Sequence, residues 1–273
     1  MMSEENRGEQ TIRDFGEQWT KYTDNRGYYG SSELFNDVLG PLGADLDLNG
    51  RRVGDIGAGT GRFVNILLDA GARQVVAVEP SAAIEVLKQN TADRATRVEA
   101  LRVPGDRIPQ DGSLDYIFSI GVLHHIPEPA PVVAAARHAL KPGGVFFAWL
   151  YGAEGNGMYL TVLNALRRLA TGMPHVLLVW LVWMLYVPLR VYIGLCRVLP
   201  LPLRGYMIEV MGRLDADKIR LVIYDQLKPA YAKYYSRQEA YDLFASAGYE
   251  DIQLYHRHGY SWSVRAKNPG VSP

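Results

Sequence analysis

The sequence predicts a doubly wound α/β fold, with a mostly parallel seven-stranded sheet and a helical insertion between the fifth and sixth strands. Three observations carry that expectation. Between residues 51 and 151 short apolar runs alternate with helical patterns, which implies right-handed crossovers and a parallel sheet covered on both faces. The first run ends in a glycine loop, Asp55-Ile56-Gly57-Ala58-Gly59-Thr60-Gly61, placed as a strand-to-helix turn. The alternation then stops near residue 152 and resumes near residue 230, leaving a middle segment without clear strands.

Taken in order, residues 53–56 read as the first strand. Residues 61–71 follow as a helix, with Phe63, Ile66, Leu67 and Ala70 at helical spacing. Residues 74–78 form the second strand, and Ser81 is placed to cap the next helix. The third and fourth strands fall at 98–103 and 114–120, with a helix at 129–140. Lys141-Pro142-Gly143-Gly144 reads as a turn feeding a fifth strand at 145–150. The middle segment holds two apolar stretches, 176–189 and 191–203, with Pro188 and Arg190 interrupting them. The first is too short for a membrane span, which needs about 20 residues. Ser236 opens a helix to residue 247, with Glu239 three positions on completing a capping box and Gly248 ending it. Residues 251–256 and 260–266 read as a closing strand pair.

Nearly half the residues are apolar (48%) and a fifth are charged (21%), the balance of a soluble globular protein. Lys plus Arg equals Asp plus Glu at 29 each, so no global charge favours a nucleic-acid partner. The single cysteine, Cys196, excludes an intrachain disulfide and a cysteine-based metal site, and no metal is expected. Residues 1–10 are polar and acidic and lack a secretory pattern. A cytoplasmic location follows, with the first dozen residues expected to be mobile.

The glycine loop narrows the ligand. Without Cβ atoms, Gly57, Gly59 and Gly61 let the backbone turn tightly and approach a ligand closely. A dinucleotide fingerprint requires glycine at position 62, where this chain has Arg62. Asp55 would repel a pyrophosphate and attract a ligand carrying an ammonium and a sulfonium. Glu79 ends the second strand, where an acid accepts hydrogen bonds from both ribose hydroxyls in either case.

Val53-Gly54-Asp55-Ile56-Gly57-Ala58-Gly59-Thr60-Gly61-Arg62-Phe63 resembles the first motif of class I S-adenosylmethionine-dependent methyltransferases. Val76-Ala77-Val78-Glu79-Pro80-Ser81 resembles the second, and residues 113–126 (Ser113 to Ile126) resemble the fourth-strand motif. Leu140-Lys141-Pro142-Gly143-Gly144 resembles the turn before the fifth strand. The resemblance implies S-adenosyl-L-methionine as cofactor and S-adenosyl-L-homocysteine as product. It implies that Asp55 and Gly57 hold the methionine part, with Ala58, Gly59 and Gly61 completing the loop. It assigns the ribose to Glu79 with Pro80 beside it, the adenine amino group to Asp106, and the surroundings of the sulfonium to Ser119, Ile120 and Gly121. Trp19 and Tyr22 resemble an aromatic pair that folds over the cofactor in some relatives; packing on the sheet is the alternative. The chain then divides into a helical cap (1–50), a cofactor-binding core (51–152), an apolar insertion (153–230) and the completion of the core (231–273).

Methyl transfer is an in-line displacement whose rate comes largely from positioning and water exclusion. A base helps when the acceptor is a protonated hydroxyl. His124 and His125 follow the fourth strand at the ligand end of the sheet and are the candidates, His124 first; the alternative is a scaffold histidine bonded to backbone. For the acceptor, Tyr28, Tyr29, Tyr224, Tyr234, Tyr235 and His256 combine an apolar body with a polar tip. Between residues 165 and 210 Arg167, Arg168, Arg190, Arg197 and Arg204 stand against Glu209 alone. That segment admits three readings: a lid over an apolar substrate, a membrane-surface contact, or a core or homodimer interface. The expected function is methyl transfer to a small-molecule acceptor with a long apolar part of lipid, prenyl or quinone-like kind. A dinucleotide-dependent enzyme and a non-catalytic cofactor-binding membrane or partner module are the alternatives.

Overall fold

A computed structural model describes residues 4–170, 173–227 and 231–270. Strands β1 (Arg52–Ile56), β2 (Gln74–Val78), β3 (Val98–Leu101), β4 (Leu114–Ile120), β5 (Leu140–Tyr151), β6 (Glu250–Arg257) and β7 (Ser261–Lys267) form one sheet. Its order is β3-β2-β1-β4-β5-β7-β6, all parallel except β7, which runs antiparallel to both neighbours. β1 lies between β2 and β4, so the chain leaves it in opposite directions on the two sides. In such sheets the crevice beyond the carboxyl ends of these strands is where ligands bind.

The strands are apolar on both faces because both faces are covered. On one face Ile56, Val76, Ile117 and Phe146 pack against α5 (Ala130–Ala139) and α10 (Arg237–Ala245). On the other, Val53, Val75, Phe118 and Phe147 pack with residues of α2 (Ser32–Leu39), α3 (Arg62–Asp69) and α4 (Ala83–Asn90). The capping box of α10 forms as its spacing predicts: Ser236 Oγ accepts from Glu239 N and Glu239 accepts from Ser236 N. Gly248 follows that helix at φ +80°.

The helical insertion between β5 and β6 is present. It comprises α6 (Gly157–Ala170), α7 (His175–Val198), α8 (Arg204–Glu209) and α9 (Ala216–Leu227), ahead of α10. These helices have a core of their own around Leu178, Ile193, Met211, Ile219 and Ile223.

Three local expectations change, and the N-terminal segment gains a structure. Residues 141–144 are not a separate turn but an irregularity within β5, where the register with β4 shifts between Leu114 and Tyr116. Ser81 Oγ accepts from Ala83 N at 3.2 Å, one residue ahead of the capping position of α4. The polar N-terminal stretch forms helix α1 (Glu4–Lys21), with one stripe of it turned inward to the cavity. The two apolar stretches are joined, because α7 continues through Pro188 and Arg190. Proline removes one backbone donor, and packing along α9 on either side of it offsets that loss. The result is a helix of 24 residues, about 36 Å long, so the argument from insufficient length fails.

Candidate active site

The glycine loop is held from behind by Glu79. Gly57 N donates to Val78 O at 2.8 Å, and Gly59 N donates to Glu79 Oε2 at 2.9 Å. Glu79 is buried, and its Oε1 accepts from Ser81 N at 2.9 Å. Each carboxylate oxygen therefore has one protein donor and keeps capacity for another. Gly57 (φ +76°) abuts Val122, and Gly59 (φ +52°) faces open cavity with Trp19 Nε1 at 4.0 Å from where a Cβ would stand. The loop tip is pinned by a device that motif spacing does not reveal: Thr60 Oγ1 donates to Asn25 Oδ1 at 2.7 Å, and Asn90 Nδ2 donates to Thr60 O at 2.9 Å.

Asp55 lies behind the loop, 1% exposed, with Oδ2 lacking a hydrogen-bond partner. Burial, reinforced by nearby Glu79 and opposed by Arg62, pushes its carboxyl up to about 7. An orphaned buried carboxylate oxygen beside a glycine cradle fits a ligand with a positive charge near the loop.

A cavity of about 790 Å³ opens in front of these groups. Ala58, Pro80, Asp106, Ile120 and Gly121 stand on its wall as the sequence implied, as do Gly57, Gly59 and Glu79. Trp19 belongs to a stripe of α1, with Thr11, Ile12 and Phe15, that closes one side at helical spacing. Asp55, Ser119, Gly61 and Tyr22 lie off the wall, Asp55 one residue behind the Ile56 that lines it. Ser119 Oγ is instead bonded to Ile56 O at 3.3 Å, and Gly61 (φ +82°) caps α3 against Leu87.

The far half of the cavity is built around Gln226. Its Oε1 accepts from Tyr159 at 3.1 Å and Tyr234 at 3.0 Å, and its Nε2 donates to Tyr151 at 2.9 Å. All four side chains line the cavity. Asp225 lines it too, and burial, against a bond from Gln18, pushes its carboxyl up to about 8. His125 lines the cavity, whereas His124, the first choice from sequence, has no exposed surface. His124 is stacked on Tyr151 at 3.7 Å between ring centroids and on neither nitrogen completes a hydrogen bond. Burial and the adjacent His125 hold it well below the ordinary histidine range. His125 Nδ1 is 2.8 Å from Tyr231 O. A carbonyl only accepts, so Nδ1 carries the proton and Nε2 the lone pair. Burial lowers this ring to about 4, so it is neutral at physiological pH.

Of the six acceptor candidates, Tyr29 and Tyr234 face the cavity. The other four do not. Tyr28 donates to Glu209 O at the surface beneath Arg213. Tyr224 packs in the core of the insertion. Tyr235 is buried in the sheet core, because it neighbours Tyr234 in an extended segment and points the opposite way. His256 stacks on Trp262 at 4.2 Å, and the same alternation along β6 turns Arg257 to the cavity. Arg257 is 2% exposed and donates from Nε to Asp37 Oδ2 at 3.0 Å and also to Tyr260.

The fold and the loop define a cofactor-binding α/β domain. Residues 54–148 match the family model described as a methyltransferase domain. The ubiquinone biosynthesis O-methyltransferase of Nitrosococcus oceani is 33% identical over 106 residues, which are 38% of this chain and 45% of that one. The tRNA U34 carboxymethyltransferase of Pseudoalteromonas atlantica is 31% identical over 125 residues, 45% of this chain and 38% of that one. The matches thus span less than half of either relative. The crystal structure of an S-adenosylmethionine-dependent methyltransferase from Aquifex aeolicus superposes with a TM-score of 0.52 over 92% of this chain and 97% of that one, at 14% identity, a likeness of fold. Residues 54–148 are thus similar to a methyltransferase domain, and the fold around them is that of S-adenosylmethionine-dependent methyltransferases.

Proposed function

We propose that the protein transfers a methyl group from S-adenosylmethionine to a hydroxyl-bearing small molecule seated beside His125 and Gln226. The observation that carries this reading is the continuity of the cavity from the glycine loop and Glu79 to the tyrosine cluster. Its volume is high in the range of roughly 300–1,000 Å³ typical of ligand sites, which suits two ligands side by side. When bound, the cofactor supplies an electrophilic methyl on a sulfonium.

Asp55, Gly57 and Gly59 hold the cofactor's amino-acid end, Glu79 its ribose, and Asp106 its adenine. His125 Nε2 takes the proton of the acceptor hydroxyl. Gln226, locked by Tyr151, Tyr159 and Tyr234, orients the acceptor. Asp225 is largely protonated at neutral pH and adds an O–H donor rather than a repelling charge. Helix α1 and the insertion keep water out. Leu203, Val210, Leu214 and Val222 give the far half an apolar wall, which fits an acceptor with an apolar portion. The O-methyltransferase relative supports an oxygen acceptor. The neutral charge balance weighs against an RNA substrate of the kind named for the second relative.

The test is calorimetric titration with S-adenosylhomocysteine against NADH. Methyl-labelled cofactor is then incubated with phenols, with quinone and lipid extracts, and with tRNA. Micromolar binding of S-adenosylhomocysteine and label in a phenolic or quinol product are expected. His125→Asn should lower kcat by about 10²- to 10⁴-fold with cofactor affinity unchanged. Binding of NADH instead would overturn the cofactor reading, and label in tRNA alone would overturn the acceptor reading.

A further inference from the structure

Helix α7 carries an apolar face that the described residues leave uncovered. Leu178, Val182, Ile193 and Cys196 are buried in the core it shares with α8 and α9. On the opposite side Val176, Trp180, Met184, Val187, Val191 and Val198 are exposed, Trp180 by 67% and Met184 by 70%. At about 3.6 residues per turn these positions fall within one arc of roughly 80° along the helix. A contiguous apolar face of this size marks a contact surface.

Charge and aromatic placement say what covers it. The sequence of α7 contains no acidic residue. Arg190 and Arg197, two turns apart, are exposed along one edge of the apolar arc. Trp183 lies on the same edge, with the Arg220 guanidinium 4.1 Å over its ring. Exposed Arg168 and Arg204 flank the helix in sequence. An apolar arc bordered by arginines and tryptophan is the pattern of a helix lying at the boundary of lipid headgroups and acyl chains. A two-fold contact with a second copy would bring this edge toward its own charges, with no carboxylate on α7 to answer them. Crossing the bilayer would draw α9 in with it, including Asp217, Lys218 and Arg220, at heavy cost.

We infer that α7 seats the protein flat on an anionic lipid surface. The apolar arc enters the acyl boundary and the arginines meet phosphate. This stands apart from the catalytic reading, because it needs neither cofactor nor acceptor. It also brings the Leu203 and Tyr206 wall of the cavity, at the start of α8, close to the bilayer.

The experiment is co-sedimentation with vesicles of phosphatidylcholine alone and of phosphatidylcholine with phosphatidylglycerol at about 7:3, following tryptophan emission in parallel. None of the substituted residues lines the cavity, so retained S-adenosylhomocysteine affinity reports intact folding. Wild type should bind the mixed vesicles more tightly, with a blue shift. Trp180→Ser with Met184→Ser should weaken binding at least tenfold. Arg190→Glu with Arg197→Glu should abolish the preference for phosphatidylglycerol. Absence of wild-type binding to either vesicle would overturn the inference, as would binding unaffected by Trp180→Ser with Met184→Ser. So would a stable dimer that the same pair of substitutions dissociates, which assigns the face to a second copy.

Discussion

Asp55 offers the sharpest test of how the site holds a cationic ligand. Its carboxyl is buried, has one oxygen without a partner, and is pushed from 3.8 to about 7. Without ligand it is therefore about half protonated at pH 7. Two unit charges about 6 Å apart at an effective dielectric of about 20 attract by roughly 3 kcal/mol. An ammonium brought to the loop should thus lower the carboxyl by about two units. Only the ionised form gains from the ligand, so affinity for S-adenosylhomocysteine should rise about tenfold from pH 6 to pH 8. Calorimetry at pH 7 in buffers of different ionisation enthalpy should show about half a proton released. Asp55→Asn should weaken binding and abolish both the pH dependence and the proton release. Stability gives the opposite sign. A carboxyl raised in the folded state is neutral there while the unfolded chain ionises, so it destabilises the protein increasingly as pH climbs from about 4 to 7. The apo Asp55→Asn variant should then gain up to about 4 kcal/mol over wild type at pH 8. Flat affinity between pH 6 and pH 8 in the wild type, or unchanged binding by Asp55→Asn, would refute the electrostatic role.

Gly59→Ala places a methyl group in the open cavity at φ +52°. It should lower S-adenosylhomocysteine affinity by at least tenfold in a protein that stays folded by circular dichroism, and full affinity would show that the ligand does not approach this backbone. Arg257→Met leaves the partly buried Asp37 carboxylate without its guanidinium and with the hydrogen bond to His258 alone from this cluster, at roughly 3 kcal/mol and a drop in Tm of about 6–12 °C by calorimetry at pH 7. Burial works against Asp37, but bonds from His258 and Arg257 outweigh it and hold the carboxyl below its usual range. The deficit should therefore be full above about pH 4 and shrink as pH falls through the depressed value; a Tm within 2 °C of wild type at pH 7 would contradict it.

What the sequence made legible was local. The β1–loop–α3 unit, Glu79 at the end of β2 and the capping box at Ser236 are each set by a few consecutive residues, and the structure forms all three. The acceptor half was not legible, because it depends on which way irregular segments turn. Tyr234 and Tyr235 are the same residue type side by side, and only the extended backbone sends one to the cavity and the other to the core. His256 and Arg257 divide in the same way along β6. The two histidines separate because a short 3-10 turn (Leu123–His125) buries the first ring against Tyr151 and leaves the second on the wall. The α1 stripe did carry a signal at helical spacing, but Thr11 among its members and the polar remainder of the helix masked it.

The family match ends at residue 148, and the parts of the cavity on either side of that limit differ in kind. Before it lie the glycine loop, Glu79, Asp106 and His125, to which the proposed function gives the cofactor and the proton. After it lie Tyr151, Tyr159, Asp225, Gln226, Tyr234 and Arg257, which line the other half of the cavity and which the proposed function gives to the acceptor. A relative that matches only the first part shares the means of binding the methyl donor and says little about what receives it. That explains how one stretch of sequence can resemble both a ubiquinone biosynthesis enzyme and a tRNA-modifying one. On the proposed function, acceptor choice resides in the insertion and the end of β5. Gln226→Leu removes the shared acceptor of Tyr159 and Tyr234 and the donor to Tyr151. It should therefore change which molecules are methylated while leaving S-adenosylhomocysteine affinity intact. Equal loss toward every acceptor, together with loss of cofactor affinity, would mean that the two halves of the cavity are not separable.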